Sequence, residues 1–113
     1  MSNSEVLSVL GLCKKSGNLA LGFDACVESA TLGKSCLILI TRDLSANTRQ
    51  KLYSQLARAG TDLIVLTDFS MDNIGECVGK SCGITSVNNA GFAKKIRSLL
   101  NTDNIYVQEG ANI

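Results

Sequence analysis

The side chains best equipped for covalent or acid–base chemistry in this chain are its carboxylates and five cysteines, Cys13, Cys26, Cys36, Cys77 and Cys82, because histidine is absent. Without histidine the usual proton carrier at neutral pH is missing, and Ser–His–Asp and Cys–His arrangements are excluded. A thiolate metal site calls for Cys-x-x-Cys pairs or histidine partners. Here Cys77 and Cys82 are separated by four residues and the other three stand apart. An odd number of cysteines in apolar surroundings reads as reduced, buried packing thiols. The alternative is a small thiol-dependent enzyme, in which Lys80 would favour the thiolate of Cys82. Asp24 and Glu28 face each other at i, i+4, but no neighbour in sequence would raise one of them for acid catalysis. Neither a Gly-x-x-x-x-Gly-Lys-Ser/Thr loop nor a Gly-x-Gly-x-x-Gly turn occurs. Gly75-x-x-x-Gly79 has polar flanks and is no membrane pairing motif. The chemistry on offer is therefore recognition, with no catalytic residue, metal or cofactor expected.

Charge sets the terms of that recognition. The 113 residues carry 11 cations and 10 carboxylates, a net +1. All the cations precede residue 98, whereas Asp103 and Glu109 lie near the end, so residues 1–102 carry a net +3. This is a weak field for a nucleic-acid binder, and any such binding must come from local geometry. Lys14, Lys15 and Lys80 are candidates for phosphate contacts, with Arg42 at a strand end beside them. Lys94, Lys95 and Arg97 read as the exposed face of a helix.

The elements that must position these residues are legible from periodicity and punctuation. The length suits one domain, and 45% hydrophobic with 19% charged residues is a globular composition. Val6, Leu7, Val9, Leu10 and Cys13 follow helical spacing, with Asn3 or Ser4 as cap and Gly17 as exit. Asn18–Leu21 is a short strand, and Asp24–Leu32 a second helix opened by Gly22 and stopped by Gly33. Cys36–Thr41 is an apolar run that predicts a central strand. Ser45 caps a helix over Ala46–Ala59, closed by Gly60. Asp62–Thr67 reads as a second central strand. Ser70 or Asp72 opens a short helix to Val78, Ile84–Val87 is a strand, and Ala90–Leu100 is a last helix with Phe92, Ile96, Leu99 and Leu100 inward. Helices alternating with buried strands predict a three-layer α/β sandwich around about four strands. The domain is expected over residues 1–102, with 103–113 as a tail or an extra edge strand. No apolar run approaches a membrane span and the start has no signal-peptide character, so a cytoplasmic protein without membrane contact is expected.

Four stretches together resemble one family. They are Leu10-Gly-Leu-Cys-Lys-Lys-Ser-Gly17 with Asn18-Leu-Ala-Leu-Gly22; Gly33-Lys-Ser-Cys-Leu-Ile-Leu-Ile-Thr-Arg-Asp43 with Ser45-Ala-Asn-Thr48; Ile74-Gly-Glu-Cys-Val-Gly-Lys80; and Gly91-Phe-Ala-Lys-Lys-Ile96. Their order is similar to that of the kink-turn-binding ribosomal proteins of the archaeal L-seven-Ae and eukaryotic L-thirty-e type, above all the bacterial YlxQ-type branch, over residues 4 to 101. The resemblance implies an α/β/α sandwich with a mixed sheet. It also implies a non-catalytic, ribosome- or translation-associated protein that binds structured, kink-turn-like RNA, with ribosomal or transcription and translation proteins as further partners. The contact surface so implied is the N-terminus of the second helix and the loop before the last strand: Gly22, Asp24, Ala25 and Glu28, then Gly79, Lys80, Ser81 and Cys82, with Lys14 and Lys15 adding backbone contacts. The family's Asn-Glu pair falls on Asp24 and Ala25, and its Lys on Glu28. An aspartate only accepts hydrogen bonds where asparagine also donates, Ala25 makes none through its side chain, and Glu28 brings a negative charge towards phosphate. Asp24 and Glu28 equally suit the positive end of a helix. The same fold used as a protein-interaction module, with kink-turn reading lost, is the alternative these three residues leave open.

Overall fold

A computed structural model describes residues 2–60 and 64–100 of the chain. Five helices and four strands alternate through these residues: α1 (Ser2–Lys15), β1 (Leu19–Leu21), α2 (Phe23–Thr31), β2 (Leu37–Ile40), α3 (Ala46–Arg58), β3 (Ile64–Leu66), α4 (Met71–Val78), β4 (Ile84–Val87) and α5 (Ala90–Leu100). The boundaries follow local chemistry. Ser45 accepts a hydrogen bond from the Thr48 amide at the start of α3. Ser70 and Asn73 form a reciprocal capping box at the start of α4. Helix α1 begins at Ser2, ahead of both predicted caps.

The sheet has the order β1-β4-β2-β3, with β4 antiparallel to both β1 and β2, and β2 parallel to β3. It is a mixed, four-stranded α/β fold, as expected. One expectation needs correcting. Strand β3 lies at an edge, and β4 takes the central place beside β2. An apolar run reports that both faces of a strand are covered, not that both of its edges are paired. Val65 packs beneath one helical layer and Ile64 beneath the other, so β3 reads as buried with a single partner.

Alternation along the strands divides the interior in two. Leu37, Leu39, Val65 and Val87 face α1, α4 and α5 (Val6, Leu10, Cys13, Ile74, Val78, Ile96). Ile38, Ile40, Ile64 and Ile84 face α2 and α3 (Cys26, Ala30, Leu52, Leu56). The three layers are thus α1/α4/α5, sheet, and α2/α3. Helix α5 is turned from the orientation predicted: Ala93, Ile96 and Leu100 form its buried stripe, and Phe92 and Leu99 sit half-buried on its flank. The cysteines also divide. Cys13, Cys26 and Cys82 are buried, whereas Cys36 and Cys77 keep partial exposure. Residues 61–63, which include the predicted start of β3 at Asp62, and 103–113, predicted as tail or edge strand, lie outside the described residues.

Thr85 is the odd residue of the central strand. It alternates with Ile84 onto the α1/α4/α5 side, opposite Leu39 and Leu21, and its hydroxyl is buried without a hydrogen-bond partner. A buried, unpaired hydroxyl costs more than the apolar group of the same shape. Thr85→Val is expected to raise the unfolding free energy by about 1 kcal/mol, read from urea denaturation. A loss of stability of that size would mean that the hydroxyl is satisfied.

Candidate functional site

The register of β1 on β4 brings two distant stretches together. Leu21 pairs with Thr85, and one residue further the Gly22 amide donates to the Ile84 carbonyl at 2.9 Å. The entry to α2 is thereby fastened to the exit of the loop that precedes β4. Gly22 has φ 95° and ψ 168°, a conformation in the left-handed half of the map that other residues rarely adopt. A Cβ placed there would meet nothing within 4 Å. Conformation therefore selects the glycine, and the space beside it stays open. As the N-cap of α2, Gly22 offers no side-chain acceptor, so the first-turn amides have no side-chain cap, at the positive end of the helix dipole. Asp24 and Glu28 are exposed on this helix, and Ala25 is half-buried.

The loop itself is held tightly at both ends. Gly79, at φ 83°, ends α4 in the left-handed conformation, its amide donating to Gly75 at 2.9 Å. Lys80 and Ser81 are exposed, and the Ser81 hydroxyl donates to the Met71 carbonyl at 3.2 Å. A Cβ on Gly75 would come within 3.2–3.3 Å of Ser81, so the loop lies flat against α4. A Cβ on Gly83 would sit 2.8 Å from Leu44, 3.0 Å from Met71 and 3.1 Å from Thr41. The Thr41 amide donates to the Gly83 carbonyl at 3.0 Å, tying the loop's exit to the end of β2.

Cys82 departs from the other predicted contact residues. It is 9% exposed, and its thiol turns inward towards the Ile84 carbonyl, close enough to Cys26 and Cys77 to influence both. Burial pushes the Cys82 thiol up, while the backbone of Ile84 and Gly22, and then Lys80, pull the other way. Burial likewise takes Cys26 to about 12 and Cys13 to about 11. Lys80 acts on Cys82 in the predicted sense, but desolvation outweighs it, and the thiol stays protonated at neutral pH. Its side chain packs into the core shared with α1, α4 and α5 and is almost wholly buried. Among the described residues no group of three or more Cys, Asp or Glu is placed to hold a metal ion, and no helix is long and apolar enough to cross a membrane.

Lys14 and Lys15, exposed in the last turn of α1, line a hollow of about 330 Å³ whose far wall is Cys77 and Val78 at the end of α4. They therefore stand beside the point where the chain enters the Gly79–Gly83 loop. On its other side the loop's exit meets Thr41 and Leu44, between which lie Arg42 and Asp43. The Arg42 Nε donates to the Asp68 carbonyl at 3.1 Å. Both oxygens of Asp43 accept from the Met71 amide, at 3.1 and 3.2 Å. Asp43 and Met71 were not among the residues predicted for the site, and they fix the platform on which Ser81 and Gly83 rest. An aspartate just ahead of a Ser45 cap signals a local turn; its partner 28 residues away leaves no mark in the sequence.

A protein-family model described as the ribosomal protein L7Ae/L30e/S12e/Gadd45 family matches residues 4–97. Two proteins named RNA-binding protein YlxQ are similar over 88% of the chain. The one from Enterococcus faecium is 23% identical over 94% of its own length, and the one from Bacillus subtilis (strain 168) is 27% identical over 99%. Among solved structures, a protein of unknown function from Bacillus halodurans superposes with a TM-score of 0.73 at 24% identity, covering 84% of this chain and 95% of that one. The Giardia lamblia 15.5kD RNA binding protein superposes with a TM-score of 0.64 at 15% identity, over 87% of this chain and 89% of its own.

The Asp43 contact is testable through pH. Desolvation works to raise the Asp43 carboxyl, yet the Met71 amide, the Thr41 hydroxyl, its own amide and Arg42 together hold it below the ordinary 3.8. A carboxyl lowered by folding stabilises the native state above its unfolded value, and that contribution is lost as pH falls through the lower folded value. Asp43→Asn is expected to be less stable than the wild type at pH 7, with the gap closing below about pH 3.8. Urea midpoints measured from pH 7 to pH 2.5 read this directly, and a gap of constant size would remove the carboxylate from the platform.

Proposed function

The chain belongs to the ribosomal protein L7Ae/L30e/S12e/Gadd45 family, and on that footing we propose that it is a non-catalytic, cytoplasmic RNA-binding protein of the translation machinery that recognises structured, kink-turn-like RNA. The observation that carries this reading is the 2.9 Å bond from the Gly22 amide to the Ile84 carbonyl. It joins the start of α2 to the exit of the Gly79–Gly83 loop, and this juxtaposition supports reading the two as one contact ridge. Such a ridge suits a sharply bent RNA. Phosphates approach the helix amides and the positive dipole end, and the loop covers a base that the bend has splayed out. Gly22, Asp24, Ala25 and Glu28 form the helix half of the proposed contact, and Gly79, Lys80 and Ser81 the loop half. Lys14 and Lys15 reach the backbone of an adjoining stem. Cys82 supports the loop from beneath. The names of the two YlxQ relatives and of the Giardia protein agree with an RNA partner.

Catalysis has little to work with in this proposal. Histidine is absent, and the buried thiols are held protonated by desolvation. Recognition then rests on shape, and no bond is made or broken.

A second reading keeps the fold but gives the ridge to a protein partner, with kink-turn recognition lost. It is favoured by one feature: where the family presents Asn, Glu and Lys, this helix presents Asp24, Ala25 and Glu28. Two of these are exposed carboxylates facing the direction from which phosphates would come.

Titration against a kink-turn stem-loop and a straight duplex, each at several salt concentrations, separates the readings. Under the RNA proposal the kinked RNA binds more tightly. Its log–log salt slope is roughly −2 to −3 for phosphate contacts by Lys14, Lys15 and Lys80, and Lys80→Ala lowers the slope by about one contact. Glu28→Lys, which replaces a repelled charge by an attracted one, is expected to tighten binding roughly three- to tenfold. Equal, weak binding to both RNAs would transfer the ridge to a protein partner, and a Glu28→Lys variant no tighter than wild type would take α2 out of the contact.

A further inference from the structure

On the layer opposite α2, a second surface is built around Leu12. Among the described residues only Leu12 and Leu32 are large apolar side chains with more than half their area in solvent, at 57% and 58%. Leu32 stands alone at the end of α2, whereas Leu12 is the shared wall of two hollows. One, of about 410 Å³, runs between α1 and α5 and is lined by Val9, Leu12, Asn89, Gly91, Phe92 and Lys95. The other is the hollow of about 330 Å³ that holds Lys14 and Lys15 against the end of α4.

The groove has causes in the packing. Gly11 lets α1 close on α4, since a Cβ there would lie 3.2 Å from the Cys77 carbonyl. That approach leaves the other flank of α1, Val9 and Leu12, facing α5. Helix α5 buries Ala93, Ile96 and Leu100, which turns Phe92 sideways into the gap. The Phe92 amide is fixed at 3.0 Å to Asn89, which caps the helix. The floor is therefore apolar and held in place by both helices. The charged side chains that line the two hollows are Lys14, Lys15 and Lys95, all of one sign. Glu5, one and two turns before Val9 and Leu12 on the same side of α1, is the nearest acid on that helix and lines neither hollow.

We propose that this groove is a docking site for an acidic amphipathic segment of a partner protein. The segment seats a large apolar side chain between Leu12 and Phe92 and reaches Lys95, Lys14 and Lys15 with its carboxylates. Charge decides among the possible occupants. A second copy of the chain, related by a two-fold axis, would bring lysines against lysines. A nucleic acid would satisfy the lysines but leave Val9 and Leu12 wet, since bases stack on aromatic and guanidinium planes and gain little from aliphatic side chains. An acidic segment with an apolar stripe satisfies both. This inference shares Lys14 and Lys15 with the proposed RNA contact but rests on Val9, Leu12, Phe92 and Lys95, which that contact does not use.

The test uses the full chain and two synthetic peptides of about sixteen residues, a little over four helical turns. One has leucine at i, i+3, i+4 and i+7 with glutamate elsewhere, and the other is identical with glutamine for glutamate. Binding is followed by fluorescence anisotropy, and the site is located by backbone amide shifts. The glutamate peptide is expected to bind roughly tenfold tighter at low salt. The advantage should close as salt rises, and the largest shifts should fall at Val9, Leu12, Phe92 and Lys95. Leu12→Asp and Lys95→Glu should each weaken the peptide several-fold. Both residues are exposed, and unchanged melting curves would confirm that the variants fold. Equal affinity for the two peptides, shifts centred elsewhere, or binding untouched by Leu12→Asp would each overturn the proposal. Self-association of the wild type that Leu12→Asp abolishes would give the groove to a second copy instead, and kink-turn RNA binding lost with Leu12→Asp would give it to RNA.

Discussion

Strand β4 is among the last elements to leave the chain's N-to-C order and yet it lies inside the sheet, hydrogen-bonded to β1 on one side and β2 on the other. Its partners precede it by about 45 to 70 residues, so the sheet cannot close until most of the domain has been made. All four of its residues are buried, and its two ends serve the two halves of the structure. At its start, Ile84 accepts the amide of Gly22 and thereby sets where α2 begins. Just before it, Gly83 is packed so closely against Leu44, Met71 and Thr41 that no larger residue fits without displacement. The position of the loop and the position of the helix are thus consequences of a single strand register. A slip by one residue would turn Ile84 and Val87 to the wrong layers and separate the two parts of the ridge together.

That dependence explains how a nearly neutral chain can serve as a recognition surface. With a net charge of +1 the long-range field is small, and diffusional steering of a polyanion is correspondingly weak. The attractive features are short-ranged: open amides at a helix start, a loop that lies flat, and lysines at its margin. Their effect depends on distance and orientation, which the strand register supplies. Bulk charge would be tolerant of misplacement; this arrangement is not.

The parts of the fold legible in the sequence were those with local causes. Ser45 and Ser70 cap helices through bonds spanning three residues, and Gly17, Gly33, Gly60 and Gly79 end elements at positive φ. Such signals sit beside the structure they produce. The three places where expectation and structure part have non-local causes. Strand β3 was read as central because both its faces are covered, while pairing at its edges depends on where β4 inserts. Phe92 was read as core from helical spacing alone, but the rotation of α5 is set by its contact with α1, which favours Ala93. Cys82 is expected among the exposed loop residues, whereas its side chain packs inward among residues of α1, α4 and α5. For the proposed ridge, the residues themselves were legible through motif resemblance. The platform of Asp43 and Met71 beneath them was not, since each looks like ordinary punctuation until the other is beside it.

The far end of β4 completes the argument about α2. Ser86, fully buried, donates from its hydroxyl to the Asn88 amide oxygen at 2.7 Å and accepts from the Ser35 hydroxyl at 2.8 Å; the Asn88 amide nitrogen donates to Ser29 at 3.0 Å. Ser29 belongs to the last turn of α2, and its carbonyl also accepts the Lys34 amide at 2.9 Å. The helix is therefore tied to the same strand twice, by backbone at Gly22 and by a side-chain network at Ser29. Polar groups buried in this way resist being broken singly, because each loss strands another inside. Both ends of α2 are thus held to β4 and the residues that follow it, which opposes pivoting or sliding of the helix. The ordering that a mobile helix would undergo on binding, which subtracts from affinity, has been completed in folding. That is the sense in which four small polar side chains, invisible as a motif, support the proposed ridge.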